Sequence, residues 1–190
     1  MPFTFEPLSI PDVLLITPKV FSDERGFFEE TYKKSEFNRH NLEMSFVQDN
    51  HSFSQKHTLR GLHFQNPPHA QGKLVRCIEG RILDIAVDIR AGSPSFGKWV
   101  SAELSGENHR MLWIPEGFGH GFLAKVDSHV EYKVTREYSK ESEAGIIWND
   151  PKLNISWGID NPLVSDKDSM WPQLEDENVK FLYHDGGKHQ

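Results

Sequence analysis

The segment Ile82-Leu83-Asp84-Ile85-Ala86-Val87-Asp88-Ile89 sets the fold class. Its residues alternate, so in an extended chain Leu83, Ile85, Val87 and Ile89 share one face while Asp84, Ala86 and Asp88 share the other. This is a strand with one greasy face and one face that carries two carboxylates. Immediately before it, Glu79-Gly80-Arg81 reads as a tight reversal out of a preceding strand, Lys73 to Glu79. Working outward, from about residue 46 to residue 135, short apolar runs are separated by Gly, Pro, Asn and Asp with no helical repeat between them. Phe27 to Tyr32, Phe46 to Phe53, Gly97 to Leu104, Met111 to Ile114, Gly121 to Lys125 and Glu131 to Thr135 are the other predicted strands. The pattern predicts an all-β barrel or sandwich. Lys34 to Asn41 is expected to form a short helix. The tail after Trp157 is expected to be mostly loop, with one helical turn, packed on the barrel. Ser165 to Ser169 reads as a polar surface loop.

A chain of 190 residues, 37% of them hydrophobic, suffices for one core, so residues 1–190 are expected to form a single domain. No apolar run is long enough to cross a bilayer, and the first residues, Met1-Pro2-Phe3-Thr4-Phe5-Glu6, lack the basic and apolar segments of a secretory signal. A soluble, cytoplasmic protein without a membrane partner is expected. Cys77 is the only cysteine, which excludes an intrachain disulfide or a thiolate metal cluster within one chain and reads as a small buried apolar residue. The net charge of -7 argues against nucleic acid, whose phosphates are held by clustered Lys and Arg. An anionic ligand would need basic residues gathered locally.

His63 lies in the apolar strand Leu59-Arg60-Gly61-Leu62-His63-Phe64-Gln65. In regular pleating it shares a face with Leu59, Gly61 and Gln65, and Arg60 points the other way. If both side chains serve one site, Gly61 must form a bulge or bend. A lone strand histidine is more often a hydrogen-bonded structural residue than a catalyst, so its neighbours must decide. Asn66-Pro67-Pro68-His69-Ala70-Gln71-Gly72 forms a proline-rich loop that leads to Lys73, which shares a face with Val75 and Cys77. A lysine above an apolar wall either stabilises an oxyanion or snorkels to water. Ile114 to Phe122 places three glycines around His120, which predicts irregular, closely packed backbone as a turn or a binding loop. Val130, Tyr132 and Val134 share a face, so Tyr132 is an inward phenol, either a hydrogen-bonded core residue or an acid.

Metal-binding barrels of the cupin kind place two histidines one residue apart. Here Gln65 occupies the position two after His63, and no Asp or Glu follows before Glu79, so no bound metal is expected. Glycine loops of the dinucleotide or triphosphate type are also missing from the sequence. A nucleotide would therefore be held by basic side chains, with Arg25, Arg60 and Lys73 as candidates, and by aromatic faces.

Taken in order, Pro18 to Glu30, Phe46 to Ser52, Leu59 to Gln65, Gln71 to Arg76, Asp84 to Arg90, Ile114 to Phe122, Tyr132-Lys133, Trp148 to Pro151 and Ser165 to Asp168 resemble the dTDP-4-dehydrorhamnose 3,5-epimerase family of the cupin superfamily. The resemblance runs from about Ile10 to Pro172. It implies a jelly-roll homodimer that inverts carbons 3 and 5 of dTDP-4-dehydro-6-deoxy-D-glucose, on either side of the ketone, without a cofactor. By the same resemblance His63 is the base, Asp168 its hydrogen-bonding partner, Lys73 the enolate stabiliser and Tyr132 the proton donor on the other face. For substrate binding it points to Arg25, Glu30, Gln48, Asp49, Asn50, Arg60, Lys73, His120, Glu143 and Lys167, with Tyr138 near the sugar. Arg25 and Glu30 are implied to reach the neighbouring subunit's site. Two positions depart from the family pattern: Glu137 replaces a frequent tyrosine before Tyr138, and Gly158 follows Trp157 where proline is frequent.

Overall fold

The computed structural model describes residues 2–175 and 179–183. Two antiparallel sheets face each other. The first has six strands in the spatial order β1 (Phe3–Pro7), β2 (Leu14–Pro18), β10 (Met111–Ile114), β7 (Lys73–Glu79), β12 (Ser128–Val134) and β5 (Gln48–Ser54). The second has five, in the order β13 (Glu143–Gly145), β6 (Leu59–Gln65), β11 (Phe118–Ala124), β8 (Arg81–Asp88) and β9 (Trp99–Ser105). A separate hairpin joins β3 (Val20–Asp23) to β4 (Gly26–Glu29), and two short helices, α1 (Lys34–Asn38) and α2 (Asp166–Ser169), lie outside the sheets. No helix among the described residues is long and apolar enough to cross a membrane.

β7 and β10 run as the alternation predicts, and β7 reverses into β8 at Gly80. The alternation in β8 is also real, but both of its faces are buried. Ile82 and Ala86 pack with Phe118 and Phe122 against Val75, Cys77, Leu112 and Val130 of the opposite sheet, so the face that carries the carboxylates is the interior one. Ile85, Val87 and Ile89 on the other face are fully buried under Leu153, Trp157 and Leu174, which bears out the packing of the tail. Each such side chain contributes about 2 kcal/mol by leaving water. Residues 176–178 and 184–190 of that tail lie outside the described residues.

The two inward carboxylates of β8 meet different surroundings. Asp88 accepts from the Arg90 backbone N–H (3.0 Å), the Arg90 guanidinium (2.8 and 3.0 Å), Ser93 Oγ (2.6 Å) and Ser95 Oγ (2.7 Å). Burial opposes its charge, yet these donors hold its carboxyl below the usual range. Asp88 is thus a satisfied structural lock, and Asp84 is not.

Several elements differ from expectation. β1, β2, β3 and β13 are too short or too mixed in pattern to stand out as strands, and the predicted strand at Phe27–Tyr32 contracts to β4. α1 stops at Asn38 rather than Asn41, because Asn41 takes φ +60° and Leu42 N–H caps the Phe37 carbonyl at 3.1 Å. The backbone expected to be irregular around His120 is a regular strand: β11 pairs residue for residue with β8, from Phe118↔Asp88 to Ala124↔Ile82.

The irregularity lies across the ladder, in β6. His63 pairs with His120 and Arg60 with Phe122, so two residues of β6 oppose the single Gly121. The bulge restores Arg60 to the His63 face, and Leu59 turns outward into the other core instead of sharing that face. Gly61 has φ +126°, and a Cβ there would lie 2.5 Å from Gly121 Cα and 2.7 Å from the His120 carbonyl oxygen. Gly61→Ala is therefore expected to lose about 3 kcal/mol or more in urea unfolding. Gly119→Ala, whose added Cβ would meet nothing closer than 3.7 Å, is expected to stay within about 1 kcal/mol of the parent. Equal losses in the two variants would contradict the bulge constraint.

Candidate active site

The interior of the sandwich is apolar at one end and polar at the other. β6 places His63 on the interior wall, where its register partners His120 and Gly145 lie beside it. His63 Nε2 is 2.5 Å from Asp168 Oδ1. An ionised carboxylate only accepts, so Nε2 carries the proton and Nδ1 the lone pair. Asp168 Oδ1 also accepts from Trp171 Nε1 (3.2 Å), and Oδ2 from the Gly61 backbone N–H (3.4 Å). Burial opposes its ionisation, but the hydrogen bond and charge of His63 hold its carboxyl below the usual range.

Ser165–Ser169 lies at the surface as expected, but it is a helical turn rather than a loop, and Asp168 within it is buried. Ser165 caps α2 by accepting the Asp168 N–H at 3.1 Å, and Asp168 is only 4% exposed. Ser165-Asp166-Lys167-Asp168 is a capping pattern, Ser three residues before an acidic side chain, and that signal was present in the sequence. Gly158, a few residues earlier, has φ +76°, a value that the ring of a proline forbids.

Lys73 enters from the opposite wall and is buried, and its Nζ donates to the His63 carbonyl at 3.1 Å. Burial pushes its ammonium down to about 8, while the charges of Asp84 and Glu143 work the other way. It does not snorkel. His120 Nε2 lies 2.7 Å from Asp84 Oδ1, with both side chains buried. Burial pushes this imidazole down, Asp84 partly offsets that, and Lys73 and His63 add to the depression, so these groups form one electrostatic cluster.

Tyr132 faces inward from β12, with burial raising its phenol and the Arg60 charge lowering it. Opposite Tyr132 in β5 is Asn50, whose Oδ1 accepts from Gln48 Nε2 at 2.8 Å. Arg60 ties the two sheets at this mouth, donating to Ser54 Oγ and to the Phe53 carbonyl, both at 2.9 Å. At the rim Glu143 accepts from Tyr138 Oη (2.9 Å) and from Lys167 Nζ, and Lys167 sits 5.5 Å above the Trp171 ring. The Tyr138 N–H donates to Gln48 Oε1 at 2.9 Å, which joins the rim to β5.

Three of the sequence candidates are not brought together with the rest. Asp49 alternates to the outer face of β5 and pairs with Lys133 at 2.9 Å, since only every second residue of a strand faces inward. Arg25 is exposed at the tip of the β3–β4 hairpin and pairs with Asp23 at 2.6 Å, and Glu30 pairs with Lys33 at 3.2 Å. Gln65, at the position where a metal barrel has histidine, is committed to backbone: its Nε2 donates to the His69 carbonyl (2.6 Å) and its Oε1 accepts from Ser139 N–H (2.7 Å). Two residues that sequence reasoning missed belong to the cluster, Asp84 and Trp171. The acidic face of β8 was the signal for the first, and Trp171 carried none.

An antiparallel sandwich that gathers an imidazole–carboxylate pair, a buried lysine and an inward phenol at its mouth is a cupin-type fold equipped for proton transfer. Residues 7–176 match the family described as dTDP-4-dehydrorhamnose 3,5-epimerase, and the chain belongs to that family. A dTDP-4-dehydrorhamnose 3,5-epimerase of Shigella flexneri is 56% identical over 161 residues, covering 84% of this chain and 89% of the relative. The dTDP-6-deoxy-D-glucose-3,5-epimerase of Legionella pneumophila, solved in complex with dTDP-4-keto-L-rhamnose, superposes with a TM-score of 0.92 at 41% identity, covering 96% of this chain and 100% of the other. A 3'-monoepimerase of Streptomyces bikiniensis, solved in complex with dTDP-quinovose, gives 0.83 at 33% identity, covering 89% and 87%.

A buried cation costs stability, and the sign follows from its titration. With Lys73 at about 8 in the fold and about 10.4 when unfolded, the unfolded chain holds the extra proton between those values, so wild-type stability rises with pH across that window. Lys73→Met should therefore be more stable than the parent by about 2 kcal/mol at pH 7, after allowing for the lost hydrogen bond. The gain should shrink as the pH approaches 10. Urea unfolding at pH 7 and 9.5 checks this, and a less stable variant at pH 7 would contradict it.

Proposed function

We propose that this chain epimerises dTDP-4-dehydro-6-deoxy-D-glucose at carbons 3 and 5, giving dTDP-4-dehydro-L-rhamnose. The observation that carries the reading is the placement of base and acid on opposite walls: His63 projects from the five-stranded sheet and Tyr132 from the six-stranded one. A sugar ring held between them presents one face to each, as inversion requires.

The protons on carbons 3 and 5 are acidic because both flank the ketone. His63 Nδ1 takes one of them, and Asp168 orients the ring and stabilises the imidazolium that forms. The electron pair moves onto the carbonyl oxygen, where Lys73 Nζ donates to the enolate, with His120 beside it. Tyr132 then returns a proton to the carbon from the other face. Nothing is oxidised, so the chemistry calls for no redox cofactor, and the enolate is stabilised by cationic side chains instead of a metal. Gln48, Asn50, Arg60, Glu143 and Lys167 line the mouth as polar and charged contacts for the nucleotide sugar, and Tyr138 offers an exposed ring beside them.

In this reading Arg25 and Glu30 act in the site of a second copy, and the working unit is a homodimer. Support comes from the β3–β4 hairpin, which stands outside both sheets and exposes Phe21, Phe27 and Phe28. The net charge of -7 fits a protein with no nucleic-acid partner, and a single cytoplasmic domain is the corresponding organisation. A second reading, inversion at one carbon only, is favoured by the likeness to the 3'-monoepimerase.

Incubation with the ketosugar nucleotide in deuterated water after chelator treatment is expected to place deuterium at both carbons. Exchange at one carbon alone selects the monoepimerase, and no exchange at either sinks the enzyme reading in favour of a binding module. Activity that disappears with a stoichiometric metal would overturn the metal-free chemistry. His63→Ala should fold and lose exchange at both carbons by about 10³-fold. Tyr132→Phe should keep proton abstraction better than net inversion, read as washout of label without product.

A further inference from the structure

Asp84 is fully buried, yet among the described residues only one of its oxygens is used: Oδ1 receives His120 Nε2 at 2.7 Å, and Oδ2 has no hydrogen-bond partner there. Apart from His120, its neighbours on that wall are apolar: Ala86 two residues on in β8 and Phe122, its register partner in β11. A carboxylate in such a place is costly unless its charge is used, and a small apolar residue would serve the core better. Asp88, two positions further along the same strand face, shows how this fold satisfies a carboxylate that is purely structural.

Resting on the epimerase reading, we propose that Asp84 is the positioning residue of a second imidazole–carboxylate pair, holding His120 by Nε2 and serving as the counter-charge to its imidazolium, so that Nδ1–H donates to the developing oxyanion beside the Lys73 ammonium. The geometry favours this over a packing role. With Nε2–H committed to Asp84, Nδ1 is the only ring nitrogen that His120 can present to a ligand. The groups that act on Lys73 come from different strands: Asp84 from β8 and Glu143 from β13 carry negative charge, while His63 from β6 and His120 from β11 share the cluster. Of the two carboxylates, Asp84 lies in the interior and Glu143 is already engaged by Lys167 and Tyr138 at the rim. Asp84 therefore balances charge as the enolate forms and is released, without touching the substrate.

The test uses the full chain and Asp84→Asn, which keeps the size of the side chain and an acceptor for His120. In the ligand-free wild type, nitrogen-15 spectra of His120 at pH 7 should show the proton on Nε2; a proton on Nδ1 alone would overturn the proposal. This holds even if the variant fails to fold. In Asp84→Asn the Lys73 titration, followed by carbon-13 or nitrogen-15 NMR, should move down by about one pH unit. The kcat/KM for the ketosugar nucleotide should fall about 10- to 100-fold at pH 7, with its alkaline limb displaced by the same amount. An unmoved Lys73 titration, with activity unchanged or reduced equally at every pH, would show a merely structural carboxylate. If the wild type exchanges no solvent hydrogen into the sugar, the epimerase reading fails, and the two NMR measurements still decide what Asp84 does.

Discussion

The five-stranded sheet must be dry on both faces, and the rest of the molecule is arranged around that requirement. Its inner face is covered by the six-stranded sheet, as in any sandwich. Its outer face carries Leu62, Phe64, Ile85, Val87, Ile89 and Leu123, a surface that water would penalise by many kcal/mol, and only the chain beyond β13 remains to cover it. Trp157 and Leu153 do so. The cover is pinned by hydrogen bonds: Asp150 caps the Lys152 and Leu153 N–H groups and accepts from Leu174, and Leu59 and His57 exchange backbone bonds with Leu163. The path that keeps the outer core dry then turns at Ser165 and delivers Asp168 to the edge of β6, beside His63. Hydrophobic burial thereby positions a polar pair.

Inside the sandwich the balance is electrostatic. Lys73, His120, His63, Asp84 and Asp168 share a small region of low polarity, where each charge is felt strongly by the others and none is fully solvated. Desolvation wins for Lys73 and His120, which are pushed toward their neutral forms, and pairing wins for Asp168, which is held ionised. The outcome is a base whose counter-ion stays charged and a lysine whose ammonium is pushed down to about 8. Opposite tendencies are thus held within one cluster by differences in burial and in hydrogen-bond partners.

Much of this was legible in the sequence. The alternation in β8, the inward faces of β7 and β12, and the need for a bend at Gly61 followed from a period of two and the chemistry of glycine. His63, Lys73 and Tyr132 lie where those faces placed them. What escaped has identifiable causes. Asp49 was grouped with Gln48 and Asn50 although alternation separates it from them. Asp168 looked solvated because it docks against Gly61 and His63, which are distant in sequence, and no local window records that contact. Asp84 was seen as half of an acidic face, but the different surroundings of Asp84 and Asp88 arise from loop residues Arg90, Ser93 and Ser95 that reach only one of them. Arg25 sits at the tip of a hairpin whose Phe21, Phe27 and Phe28 stay exposed on this chain, and Glu30 lies just after it.

The bulge at Gly61 gives β6 two phases. Before it, Arg60 is the inward residue; after it, His63 and Gln65 are, and the shift of one residue is what allows Arg60 and His63 to occupy one wall. The length of this segment is therefore as much a part of the site as its chemistry. A homologous chain with every side chain intact but one residue more or fewer between Arg60 and His63 would present either the guanidinium or the imidazole to the wrong side of the sheet. For this strand, counting residues is a more sensitive indicator of competence than percentage identity.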